Sequence, residues 1–373
     1  MNAVETNEQV VGEWMGSGEP FVFYRFPGEH AVHGIRSDSF SLQRLRDVSS
    51  LNDKTGFVFA PFQSGKGHPI WLLPSKEEVC FSFSRKRGDV IEAPAAVSLS
   101  DALCETPSGE YAGVFSRFSS ALVSGEFRKL VLSRRWGVDC PSGFSLDEAF
   151  RVACQRYVHS YVYLFYTPST GFWLGATPEI LLSGCGGNYT TVALAGTQAL
   201  VEGKPAGEWS DKNIREQRYV SDYICDCLRR RGIEARLNRP FTATAGALAH
   251  LKTEVGFSWE DTGHIGDLLE DLHPTPAVCG VPKQEAYRFI CENEGYDRGY
   301  YAGFLGCLDP DGKTDLYVNI RCMQVEPELR ILSLFAGGGL LAASRCAEEW
   351  IETERKLQTM KYVIQKSDVH VFG

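Results

Sequence analysis

At 373 residues, 43% apolar and 12% aromatic, the chain is long enough to bury a substantial core as one large domain or two ordinary ones. The N-terminus MNAVETNEQVVGEWMG lacks a basic region followed by an apolar run, and no stretch reaches about 18 consecutive apolar residues, so neither export nor membrane insertion is expected. A formal charge of −9 without basic blocks argues against nucleic acid, and 12 scattered cysteines without CxxC point to reduced thiols in the cytosol.

Residues 1 to 105 carry short strand-like runs, FVFYRF, GFVFAPF, IWLLP and EVCFSFS, broken by Gly, Pro and Ser, which predict antiparallel sheet. The segment EAPAAVSLSDALCETPSGE reads as a connection. Tyr111, Phe115, Phe118 and Leu122 then follow helical spacing, and KLVLSRRWGV from Lys129 reads as a strand. YVYLFYTP and GFWLGATPEILLS read as two strands joined at Gly171, followed by the strand YTTVALAGTQ. DKNIREQRYVSDYICDCLRRRG is a helix with Ile214, Val220, Ile224 and Leu228 on or near one face and a cationic, glycine-capped end at Arg229 to Gly232. Strands return at YYAGFLGCLD, DLYVNIRCMQV and LRILSLFAG. The last element is an acidic helix, CAEEWIETERK onward, with Trp350, Leu357, Met360 and Ile364 as its apolar stripe. Strands in hairpin-like succession with helices between groups of them predict an α+β fold.

Three signals in this pattern carry chemistry. On the last helix Glu349, Glu352 and Lys356 share a side away from the stripe, and like-charged pairs at this spacing cost roughly 0.2–0.5 kcal/mol each. The arrangement is either a solvated face or part of a site for a hard divalent cation such as Mg²⁺, with Glu216 of the middle helix as a candidate from another element. The glycines Gly337 to Gly339 of FAGGGLL read as a tight turn or as backbone donors to an anion at a helix entrance. Lys129 opens an apolar strand and Glu179 follows Pro178. Both are solvated edge residues unless they line one pocket, where desolvation would lower the lysine and raise the glutamate to give a base and an acid near neutrality.

KLVLSR, LGATPEILL, ALAGT, HLKTEV, HPTPAVCGVP, GYYAG, VNIR, AGGGLL and EEWIETERK occur in the order seen in the chorismate-utilising enzymes, and the resemblance is strongest to the isochorismate synthases among them. It covers residues 111–361, while residues 1–105 match only in general character. The resemblance implies a single domain over 1–373, an α+β fold of two antiparallel sheets packed as a sandwich with flanking helices. It also implies chorismate as substrate and Mg²⁺ as cofactor. Lys129 matches the base that activates water for attack at C2, and Glu179 the acid that protonates the departing C4 hydroxyl. Glu216 and Glu352 match the metal ligands, with Glu349 direct or acting through water; Glu348 and Glu354 gain nothing from the resemblance and are read as solvated. Arg321 and Tyr301 match contacts to the pyruvyl carboxylate, with Gly337 and Gly338 as backbone helpers and Lys356 as support for the metal region. His250, Ala277, Gly196 and Thr197 complete the substrate set. The implied protein is a cytoplasmic monomer serving salicylate, siderophore or menaquinone biosynthesis, without nucleic-acid or membrane partners.

Particular residues separate the relatives. Ala195 stands before Gly196 and Thr197 where the aminodeoxychorismate synthases carry a nucleophilic lysine, and Ala277 stands where salicylate synthases carry threonine. The alternatives are a salicylate synthase, which goes on to eliminate pyruvate, and a silent chorismate-binding paralogue. Asn213, Gln217, Gln198 and Cys346 depart from the residues usual in the family.

Overall fold

The computed structural model describes residues 5–65, 67–83, 106–201, 204–205, 207–245 and 248–367. Most of the connection expected over 92–110 lies outside them. Among the described residues the strands form two antiparallel sheets. A nine-stranded sheet runs Gly280–Val281, Lys129–Asp139, Ile331–Leu340, Cys322–Glu326, Gly171–Thr177, Tyr161–Thr167, Phe21–Arg25, Val32–Arg36 and Glu77–Phe81. An eleven-stranded sheet has the main order Ala235–Leu237, Leu248–Ser258, Asn188–Val201, Ile180–Cys185, Lys313–Val318, Phe304–Leu308, Gly56–Ala60, Ile70–Leu73 and Gln43–Leu45. The α+β expectation holds.

The principal core joins the two sheets. Phe59 stacks on Phe165 of the facing sheet at 4.1 Å and on Tyr300 at 4.5 Å, and Trp173 stacks on Phe335 at 5.5 Å. The outer face of the nine-stranded sheet is buried as well. Phe150 of the helix Leu146–Arg156 and Leu357, Met360 and Val363 of the helix Cys346–Lys366 cover Leu164, Leu174, Met323 and Leu334 there. Cover on both faces explains strands that read as continuous apolar runs, such as Tyr161–Thr167, in place of alternation.

Three sequence expectations change at this level. GFWLGATPEILLS is not one strand: it leaves the nine-stranded sheet at Thr177 and enters the other at Ile180. DLYVNIRCMQV likewise divides into Lys313–Val318 and Cys322–Glu326, in different sheets. Gly337 to Gly339 form no turn; they lie inside the strand Ile331–Leu340, opposite Ser133, Leu132 and Val131.

In the helix Asp211–Arg230, Ser210 caps the N-terminus by accepting from Asn213 N, and Gly232 takes φ +72° just past the end. Val220, Ile224 and Leu228 are buried as expected, but Ile214 is exposed. The i,i+4 series that ends at Leu228 begins at Glu216, not Ile214, so it is the glutamate that the helix turns inward.

Candidate active site

The two crossings between sheets meet. Val318 N donates to Glu179 O at 2.9 Å and Ala176 N donates to Arg321 O at 3.1 Å, while the Thr177 hydroxyl donates to Val318 O at 2.6 Å. Each crossing leaves the strand ladder at one residue that turns its side chain into the same cleft: Glu179 on the first and Arg321 on the second. Arg321 holds φ +52° and Ala302 beside it +62°. Such left-handed geometry costs an L-residue roughly 1–2 kcal/mol, and buried Asn319 between them offsets it. Ala302 N donates to Asn319 O, the Asn319 amide donates to Tyr300 O, and the Tyr163 hydroxyl donates to Asn319 Oδ1 at 2.5 Å.

The cleft encloses a cavity of about 60 Å³. Its wall brings together Glu179, Gly196, Thr197, Glu216, His250, Ala277, Tyr301, Arg321, Gly337, Gly339, Glu352 and Lys356, all singled out in the sequence. Lys129, Gly338 and Glu349 are not on the wall. Lys129 is wholly buried behind it, its Nζ 3.0 Å from Glu216 Oε1 but off the line of a hydrogen bond. Sequence reasoning missed the apolar wall made by Val131, Leu194, Val278, Ile320 and Phe335. It also missed Asn319 and Lys212, which no local pattern distinguishes from an ordinary strand end and a helix start.

Burial drives the charge states. The Glu179 carboxyl is 4% exposed with Oε1 unpartnered, and burial pushes it up to about 7 against the pull of Lys129, Lys356 and Arg321. Burial also brings Arg321 down to about 10, still cationic at neutrality. Its guanidinium donates to His250 Nε2 at 3.1 Å and to Thr359 Oγ1 at 3.3 Å, with no carboxylate at ion-pairing distance among the described residues. A buried arginine without an acid is a site for an anion from outside. Burial, then Arg321 and Lys356, holds His250 down at about 3, so the ring is neutral, accepts at Nε2 and donates from Nδ1 to Gly196 O at 3.1 Å.

The glycine run is explained by close approach. A Cβ on Gly339 would stand 2.0 Å from Glu216 Oε1 and 2.9 Å from Lys129 Cε, and one on Gly337 would stand 2.9 Å from the Tyr301 hydroxyl. At Gly338 it would meet Glu349 Oε2 and Glu352 Oε1, both at 3.3 Å. The two acids therefore converge on one point of the strand. Glu349 is 1% exposed with Oε2 unpartnered, and burial followed by the charge of Glu352 raises it to about 7 although Lys212 pulls the other way. Burial tends to raise Glu352 too, but Lys356 and Lys212 outweigh it and hold it low. Lys356 donates to Glu352 Oε1 at 2.7 Å and to Gly337 O at 2.6 Å. Two carboxylates with one free buried oxygen suit a hard cation that keeps its waters. No ready-made cluster of three acid, imidazole or thiol groups exists among the described residues, and each of the three glutamates lies against its own lysine.

The remaining acids of the helix divide. Glu348 is exposed and pairs with Arg345, as the solvated expectation had it. Glu354, expected in water as well, is buried and pairs with Arg134 and with Lys361. It stands four residues after Trp350 and three before Leu357, on the apolar stripe. Of the family departures, Gln217 is buried and donates to Thr253 Oγ1 at 2.6 Å, Gln198 donates to Glu208 O, and Asn213 packs under Gly196.

Such a sandwich, with an acid, an unpaired arginine and a carboxylate pair around one cleft, defines an enzyme for a small anionic substrate. The chain belongs to the chorismate binding enzyme family, whose model matches residues 83–365. It is 32% identical over 360 residues to the isochorismate synthase EntC of Escherichia coli, covering 91% of this chain and 89% of that one. It is 32% identical over 255 residues to the isochorismate synthase DhbC of Bacillus subtilis, covering 64% of this chain and 63% of that one, so the match spans less than two thirds of that relative. The crystal structure of a putative 2,3-dihydroxybenzoate-specific isochorismate synthase from Bacillus anthracis superposes with a TM-score of 0.76 at 23% identity, over 94% of this chain and 97% of that one, which is likeness of fold.

Proposed function

We propose that the chain is an isochorismate synthase, converting chorismate to isochorismate by attack of water at C2 and loss of the C4 hydroxyl. The observation that carries this is Glu179, a buried carboxyl on the cleft wall that remains half protonated near neutrality and has an oxygen free for a substrate group. Glu179 donates the proton that lets the C4 hydroxyl leave as water. Lys129, buried behind Glu216, is the base that the resemblance assigns, taking the proton of the attacking water. Arg321 and Tyr301 hold the pyruvyl carboxylate, and the apolar wall of Val131, Ile320 and Phe335 excludes competing water from the ring.

Glu349 and Glu352, with Glu216 as a third group, would hold Mg²⁺, which supplies positive charge to the ring carboxylate. Lys356 fixes Glu352 against Gly337 O, and neutral His250 orients the Arg321 guanidinium. The protein acts as a cytoplasmic monomer. Incubation with chorismate and Mg²⁺ followed by separation of products tests the assignment. Isochorismate without pyruvate is expected; salicylate and pyruvate formed as fast as chorismate disappears would make it a salicylate synthase, and no turnover would make it a silent paralogue.

A further inference from the structure

Lys212 has no part in the reaction just described, yet it is placed against its carboxylates. It lies in the first turn of the helix Asp211–Arg230, four residues before Glu216 and so on the same face, and its ammonium bonds across to Glu349 Oε1 on the other helix. Among the described residues it is the one cation paired with Glu349. Of the three lysines against the acids, Lys129 is wholly buried and Lys356 is tied to Gly337 O as well as to Glu352. The Lys212 side chain is 28% exposed and can swing its charge into water along a four-carbon stem.

We propose that Lys212 competes with the divalent cation for Glu349, holding the carboxylate until metal displaces it. The inference rests on the metal reading above. Three ammonium groups already balance the three carboxylates, so a cation entering at Glu349 meets like charge unless one ammonium leaves. Lys212 is the most exposed of the three and, unlike Lys356, has no second bond to a backbone carbonyl to give up. The same contact keeps Glu349 from standing as an unpaired buried charge, and it ties the two acid-bearing helices together. The lysine thus trades metal affinity for order in the site.

Mn²⁺ titration followed by electron paramagnetic resonance of the free ion, without substrate, tests this on the full chain. Lys212→Met and Lys212→Gln should bind Mn²⁺ roughly tenfold more tightly than wild type, and Lys212→Arg should bind as weakly as wild type. Without metal the Met and Gln variants should melt at lower temperature than wild type, and Mn²⁺ should raise their melting temperature by more. Folded Met and Gln variants whose Mn²⁺ affinity is unchanged or weaker would overturn the proposal while leaving the metal site standing. Failure of the metal site itself looks different: neither wild type nor variant takes up Mn²⁺, or Glu349→Gln leaves uptake unchanged, and either result overturns both.

Discussion

Glu179 is the residue on which the chemistry turns, and its burial makes two effects measurable. Glu179→Gln keeps the shape and removes the proton donor, so kcat should fall by roughly 10²–10⁴-fold with the folded state retained. The pH dependence has a definite sign. The group is raised from 4.5 to about 7 on folding, so between those values the folded state holds a proton that the unfolded state has lost. Stability therefore falls as pH rises across that window and levels off above it. Turnover limited by the acid should decline as pH rises through about 7. Glu349 adds a stability slope of the same sign, so denaturant titration of wild type and Glu179→Gln at several pH values isolates the Glu179 share. The sequence marked Glu179 as an acid only on the condition that it lined a pocket with Lys129, and Arg321 only through family resemblance, because each is buried by a crossing between sheets that no local pattern announces. Glu354 was legible and misread: its place between Trp350 and Leu357 already put it on the buried stripe.

The elements that carry the acids and the lysine are clamped to each other. Arg134, on the strand that begins with Lys129, lies over Trp350 at 3.8 Å, donates to Thr353 Oγ1 at 2.8 Å and pairs with buried Glu354. It thereby fixes the helix of Glu349 and Glu352 against the strand of Lys129. Arg134→Ala would leave Glu354 with Lys361 alone, and urea unfolding should show a loss of about 3 kcal/mol, the low end for breaking a buried pair. Mn²⁺ affinity should weaken with it as the two carboxylates lose their register. Helices were the legible elements, since capping residues, period and terminal charges agree on Asp211–Arg230. Strand ends were not. An apolar run such as ATPEILL is equally apolar in either sheet, and only Pro178 hints that the chain changes layer there.

At the scale of the whole molecule, strands from residues 21–81 extend both sheets and share their core, although they carry none of the site. Phe59, fully buried between Phe165 and Tyr300, is the clearest link. Phe59→Ala should cost about 3–5 kcal/mol, and calorimetry should show the site-bearing strands melting with the N-terminal ones, not in a separate later transition. The succession of strand and helix patterns suggested the α+β class, but the sandwich itself came from resemblance, because strands adjacent in sequence are dealt to different sheets. An overall charge of −9 is compatible with holding an anion because Arg321 and Lys356 are brought together at one cleft. The most direct test of the central claim is turnover of chorismate with Mg²⁺ in ¹⁸O-labelled water. The account predicts isochorismate carrying one solvent oxygen at C2 and none at other positions, with formation abolished in Lys129→Ala. Unlabelled isochorismate would mean that the hydroxyl migrates within the substrate and would contradict the assigned roles of Lys129 and Glu179.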